Sequence, residues 1–217
     1  MSAQPNIVPF PAAPQSLVDK YRPRHLSDFC GIAKPKEILQ RLAERPYSSS
    51  WLFRGESGTG KTTAAMALAD AIPAQLHHIA SQECTVKRIE EVWADCFYYP
   101  KHGCRFHMVL IDEADQMSSA AQVSLLSKLD STTPVPDTIW IFTANSTERF
   151  EARFLSRCRI LEFSNYGIQR DAVELLTRVW NDEVPGKQGP DFARIVKDAK
   201  GNVRQALMAL ELDIMLA

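Results

Sequence analysis

Gly55-Glu56-Ser57-Gly58-Thr59-Gly60-Lys61-Thr62 is the stretch on which the reading of this 217-residue chain turns. It sets Gly55, Gly60, Lys61 and Thr62 at the fixed positions of the pattern Gly, four residues, Gly-Lys-Ser/Thr. Glycines let the backbone curl so that successive N–H groups face phosphate oxygens. The Lys61 ammonium adds a compact positive charge, and the Thr62 hydroxyl is suited to ligate Mg2+. Glu56, Ser57, Gly58, Thr59 and the following Thr63 complete the expected nucleotide-binding stretch. An apolar run, Trp51-Leu52-Phe53, precedes it, and an alanine-rich segment, Thr63 to Ile72, follows. Strand, loop and helix in that order are what such a cradle requires, the helix adding its positive N-terminal end.

Downstream, the continuous apolar run Phe106 to Ile111 predicts a parallel strand buried on both faces, ending in Asp112-Glu113-Ala114-Asp115. At the carboxyl end of that strand, Asp112 is expected to hold Mg2+ through water and Glu113 to polarise an attacking water. Thr138 to Ala144 reads as another buried strand and delivers Asn145 to the same edge, where an amide can position water or read a terminal phosphate. Gln75 to Ile79 and Ile160 to Phe163 complete an expected five-stranded parallel α/β sheet.

Between the strands, helical spacing marks Pro35 to Ala43, a stripe of Val86, Ile89, Val92, Trp93, Cys96 and Phe97, and Ser118 to Asp130, ended by Pro134 and Pro136. After Asn165 the pattern changes to helices alone: Gln169 to Asn181, Asp191 to Lys200, and Val203 to Leu216. The expected organisation is a proline-rich tail over 1–16, a nucleotide-binding domain over 17–165 and a small helical lid domain over 166–217.

Formal net charge of −1, with 45% hydrophobic and 24% charged residues, indicates a globular chain without a global nucleic-acid footprint. No run reaches the roughly 20 apolar residues needed to span a bilayer, and the N-terminus lacks a secretory pattern, so a cytoplasmic setting, or a nuclear one in a eukaryote, is expected. The five cysteines, Cys30, Cys84, Cys96, Cys104 and Cys158, include no CxxC pair and read as reduced thiols. Cys96, His102, Cys104 and His107 lie close in sequence, but their spacing fits none of the common structural zinc sites.

Taken together, Lys20-Tyr21-Arg22-Pro23, the phosphate loop, Asp112 to Asp115, Asn145, Ser156-Arg157-Cys158 and Gly201-Asn202-Val203-Arg204 resemble the AAA+ ATPases. Within them, the chain is similar to clamp-loader small subunits of the replication-factor-C type. The resemblance implies a P-loop NTPase fold with a helical lid, ATP and Mg2+ as ligands, and ATP hydrolysis coupled to loading or remodelling of a DNA replication complex. It implies that Tyr21, Arg22 and Pro23 line an adenine pocket, that Asn145 is a first sensor, and that Arg204 is a second sensor on the lid. By the same resemblance Arg157 is a finger reaching the γ-phosphate of a neighbouring subunit. Expected partners are homo- or hetero-oligomeric AAA+ subunits, with a sliding clamp and primed DNA beyond them and no membrane.

The chain departs from that family in carrying Glu56-Ser57 in place of two prolines, Ile79-Ala80-Ser81 in place of Asn-Ala-Ser, and Ser127-Lys128 in place of a basic pair. Clamp-loader subunits also carry a helical collar domain, whereas this sequence stops at Ala217, after the lid, so a truncated chain or a minimal relative is expected. The alternative reading is a nucleotide-gated binding or scaffold module, helicase-loader-like or regulatory, without clamp-loading activity.

Overall fold

A computed structural model describes residues 15–101, 103–130 and 137–217. Most of the expected N-terminal tail, His102 and the prolines at 134 and 136 lie outside the described residues. Strands β1 (Ser49–Arg54), β2 (Ala74–Ile79), β3 (Phe106–Ile111), β4 (Thr138–Ala144) and β5 (Arg159–Glu162) form one sheet in the order β2-β3-β4-β1-β5. Every pairing is parallel, as the apolar runs require.

Alternation along the strands divides the core. Phe106, Met108 and Leu110 of β3 and Phe53 of β1 pack on one face, beneath helices α2 (Ala33–Glu44) and α3 (Lys61–Ala71). Val109 and Ile111, with Leu52 and Phe142, pack on the other face against α4 (Val86–Asp95), α5 (Ser119–Leu126) and α6 (Ala152–Leu155). Two apolar faces leave no side of the central strands for water, which is why β3 is buried along its whole length.

The lid comprises α7 (Gln169–Glu183), α8 (Phe192–Asp198) and α9 (Val203–Met215) around Leu176, Val179, Val196 and Leu210. It also takes in Leu17 of a short first helix, α1 (Leu17–Lys20), whose backbone N–H donates to Glu211 Oε1 at 3.0 Å. The lead-in thus packs on the lid before it passes the phosphate loop.

Two elements differ from their sequence reading. The regular part of α5 stops at Leu126; Lys128 and Leu129 then both donate to the Leu125 carbonyl in a tightened last turn. Phe97, expected on the inward stripe of α4, lies beyond that helix's end and is 52% exposed, touching Trp93 edge-on.

Candidate functional site

The carboxyl ends of β1, β3 and β4 open on one crevice, and the loops leaving them carry the chemistry. The β1 strand runs into the phosphate loop, which Gly60 ends as the left-handed N-cap of α3. Two other glycines there are fixed by space and by dihedral. A Cβ on Gly55 would lie 2.0 Å from the Phe163 carbonyl oxygen. Gly58 adopts φ +81°, and a Cβ there would strike the Asn202 side chain at 2.4 Å. With α3 eleven residues long, the loop's N–H groups and the helix end form an anion cradle.

Lys61 is buried at the base of this cradle, its Nζ donating to the carbonyls of Gly55 (2.6 Å) and Glu56 (2.9 Å) and to Asn145 Oδ1 (3.1 Å). Burial lowers its pKa, and the carboxylates of Asp115 and then Asp112 push back. The neighbouring carboxylates thus oppose part of the loss of charge that burial favours.

Thr62 donates its hydroxyl to Asp112 Oδ1 at 2.7 Å, and Thr143 of β4 donates a second, short hydrogen bond to the same oxygen. Two hydroxyls thus converge on one Asp112 oxygen and fix its orientation at the crevice. Thr143 Oγ1 also accepts the Glu113 N–H at 2.9 Å. Glu113 occupies the left-handed region at φ 51°, ψ 45°, a conformation that costs a non-glycine residue of order 1–3 kcal/mol and persists only where its surroundings enforce it. Asp115 accepts the Asn145 N–H through Oδ2 at 3.3 Å, while its buried Oδ1 has no partner among the described residues.

Lys61, Thr62, Asp112, Glu113, Thr143, Asn145 and Arg204 line one cavity of about 160 Å³. It adjoins a chamber of about 590 Å³ bounded by Tyr21, Arg22, Pro23, Phe29, Thr63, Ile168 and Leu207, and Gly58, Gly60 and Arg204 border both. One small polar chamber against one larger amphipathic chamber matches triphosphate against base and sugar. The Tyr21 hydroxyl donates to Glu183 Oε1 at 2.7 Å, and burial followed by that carboxylate raises its pKa. Lys20 pairs with the same carboxylate at 2.7 Å, and the Lys20 and Tyr21 hydrogen bonds together hold Glu183 below the usual range.

The expected nucleotide-site residues border one of these two chambers except Gly55 and Glu56, whose carbonyls hold Lys61, and Arg157. That residue borders neither chamber: its Nη1 donates to the Arg153 carbonyl at 2.8 Å and its Nη2 lies 3.5 Å from Asp130. Its buried Nε has no partner among the described residues. Lys128, which with Ser127 stands in place of the family's basic pair, is buried and pairs with Glu90 at 2.6 Å.

Sequence reading passed over Thr143 and Asn202. Thr143 was visible only as one of two threonines in an otherwise apolar strand, and what it holds depends on the neighbouring strand. Asn202 caps α9 by accepting from the Gln205 N–H at 3.2 Å and donates from Nδ2 to the Ser57 carbonyl at 3.0 Å, tying lid to phosphate loop.

The sequence profile of the ATPase family associated with various cellular activities (AAA) matches residues 51–166, from β1 to the start of the lid. The chain belongs to the AAA ATPase family. Among its relatives, the replication factor C small subunit of Aeropyrum pernix is 31% identical over 201 residues, covering 89% of this chain and 61% of the relative. The small subunit of Thermofilum pendens is 30% identical over 204 residues, again 89% of this chain and 61% of the relative. This AAA chain therefore spans about six-tenths of the length of the curated relatives it matches. Among solved structures, a Thermotoga maritima RuvB mutant superposes with a TM-score of 0.73 at 19% identity, covering 91% of this chain and 68% of that one. The RuvB Holliday junction branch migration motor gives a TM-score of 0.72 at 18% identity, covering 88% and 64%. Among the described residues, no helix is long and apolar enough to cross a membrane.

Proposed function

We propose that this chain is an ATP-hydrolysing subunit of a clamp-loader-like assembly on DNA, with Mg2+ and a sliding clamp among its ligands and partners. The observation that carries the reading is the meeting of Lys61, Thr62, Asp112, Glu113, Asn145 and Arg204 on one small cavity beside a base-sized chamber. The hard oxygen donors of Thr62 and Asp112, 2.7 Å apart, suit Mg2+, which when bound supplies charge that offsets the β and γ phosphates. Lys61 exchanges its carbonyl contacts for phosphate oxygens, and the cradle's N–H groups bind the remainder. Glu113, beyond the end of β3, orients the attacking water, and Asn145 holds the same water or the terminal phosphate. Tyr21, Arg22 and Pro23 enclose the base. Arg204, near the start of α9, closes the site from the lid.

Arg157 completes a neighbour's site. Its position outside both chambers of its own chain supports that role, as does its partial satisfaction by Asp130 and Arg153. The replication factor C relatives support clamp loading as the use to which hydrolysis is put.

Lys61→Ala should abolish nucleotide binding, and Glu113→Gln should retain binding and lose turnover by about a hundredfold or more. Steady-state ATP hydrolysis and a fluorescent-nucleotide titration measure the two. Turnover that survives Glu113→Gln unchanged removes the mechanism. Stimulation of hydrolysis by primed DNA together with a sliding clamp separates clamp loading from a nucleotide-gated scaffold, which such DNA leaves indifferent.

A further inference from the structure

At the other end of β3 from Asp112, three potential metal ligands of two types meet that the nucleotide site does not use. His77 of β2, His107 of β3 and Cys96, the residue capping the C-terminus of α4, each offer one donor atom within 4.8 Å of the other two. His107 is five residues before Asp112, about 17 Å along the strand at ~3.3 Å per residue, so this cluster is separate from the phosphate cradle. In a strand whose other five residues are apolar, His107 is 1% exposed.

The hydrogen bonds already set the tautomers. His107 Nε2 lies 2.9 Å from the Tyr98 carbonyl oxygen, which can only accept, so Nε2 carries the proton and Nδ1 presents a lone pair toward His77 Nε2, 2.9 Å away. A histidine that gives one N–H to a backbone carbonyl and aims its other nitrogen at a cluster is oriented as metal-ligating histidines are. A side-chain hydrogen bond with Thr138 favours the Cys96 thiolate, against the larger effect of burial. Burial pushes the Cys96 thiol up to about 12, and burial followed by His107 lowers the pKa of His77.

We infer that His77, Cys96 and His107 form a binding site for a zinc-class divalent cation, held by two imidazole nitrogens and one thiolate, with the fourth position open to water. Borderline-soft N/S donors select Zn2+ over Mg2+. Zinc–nitrogen bonds of about 2.0–2.1 Å at tetrahedral angles need the two nitrogens roughly 3.3 Å apart, so the pair opens by a few tenths of an ångström. Binding moves the His77 proton from Nε2 to Nδ1 and releases the Cys96 thiol proton to solvent, one proton per ion. The ion joins the edge strand β2, the strand β3 and the end of α4, and through His107 it fixes the Tyr98 backbone beside the exposed Phe97 and Tyr99.

The test uses the untagged full chain, stripped with EDTA and titrated with Zn2+ against a chromogenic chelator, and separately with Co2+. One equivalent of Zn2+ is expected to bind in the micromolar range or tighter, and Co2+ should give a thiolate-to-cobalt charge-transfer band. His77→Gln and Cys96→Ser should each weaken Zn2+ binding at least tenfold, Cys96→Ser should also abolish the band, and Cys104→Ser should change neither. Should a variant fail to fold, the cobalt band of the unaltered chain still decides, because the oxygen donors at Asp112 cannot produce it. No thiolate band, or Zn2+ binding indifferent to both substitutions, overturns the site and leaves a hydrogen-bonded histidine pair.

Discussion

Thr143 holds two backbone-distant partners at once: it fixes the Asp112 oxygen that Thr62 also reaches, and it anchors the N–H of Glu113 in its left-handed turn. Removing that hydroxyl without changing side-chain shape takes away the acceptor of a part-buried N–H and frees the strained residue to relax, a loss of about 1 kcal/mol. Thr143→Val should therefore lower ATP turnover severalfold while the nucleotide Kd shifts by less than about threefold, because the phosphate cradle is untouched. Turnover within twofold of the unaltered chain would show that Glu113 is aimed by other means. The residue itself could not have been singled out from sequence. A threonine in Thr-Ile-Trp-Ile-Phe-Thr-Ala is an ordinary β-branched strand residue, and only the pairing of β3 with β4 brings it to Asp112.

At the scale of elements, the contact that couples the lid to the phosphate loop runs through the N-cap of α9. Asn202 uses Oδ1 to cap its own helix and Nδ2 to bind the Ser57 carbonyl, so two substitutions separate the roles. Asn202→Ala should destabilise the fold by about 0.5–2 kcal/mol in urea unfolding, the usual cost of losing a cap. Asn202→Asp keeps an accepting oxygen and so the cap, but removes the N–H donor and sets a negative charge beside the phosphate loop. It should unfold near the unaltered midpoint yet bind nucleotide about tenfold more weakly. Equal affinity in Asn202→Asp would exclude the lid contact from nucleotide binding. Helices and strands were legible here because apolar spacing at two or at three to four residues reflects which faces are buried. The early end of α5 and the outward turn of Phe97 were not, since helix termini are set by competing local hydrogen bonds rather than by periodicity.

The whole molecule leaves one expected site residue out of its own crevice. Arg157 lies just before β5, held by the Arg153 carbonyl and Asp130, its buried Nε without a partner among the described residues. An arginine supplied across a subunit boundary contributes on the order of a thousandfold in rate in comparable phosphoryl-transfer sites. Arg157→Ala should thus lower turnover by that order with nucleotide binding retained. Mixing it with Glu113→Gln protein should restore part of the activity at interfaces where an intact Glu113 meets an intact Arg157. Hydrolysis assayed across mixing ratios is the measurement, and no recovery at any ratio would confine Arg157 to a structural role in its own chain.

What the sequence determined alone was the phosphate loop, the acidic end of β3, Asn145 and the succession of a parallel sheet and a helical lid. Those features depend on residue type and local spacing, which a linear chain displays directly. The tertiary structure decided which distant groups share a cavity: Thr143 with Asp112, Asn202 with Ser57, and His77 with Cys96 and His107. Each of these pairings joins different strands or domains, so its geometry comes from sheet order and lid packing. The spacing that argued against zinc around Cys96 and His107 had no means of weighing a histidine on the neighbouring edge strand.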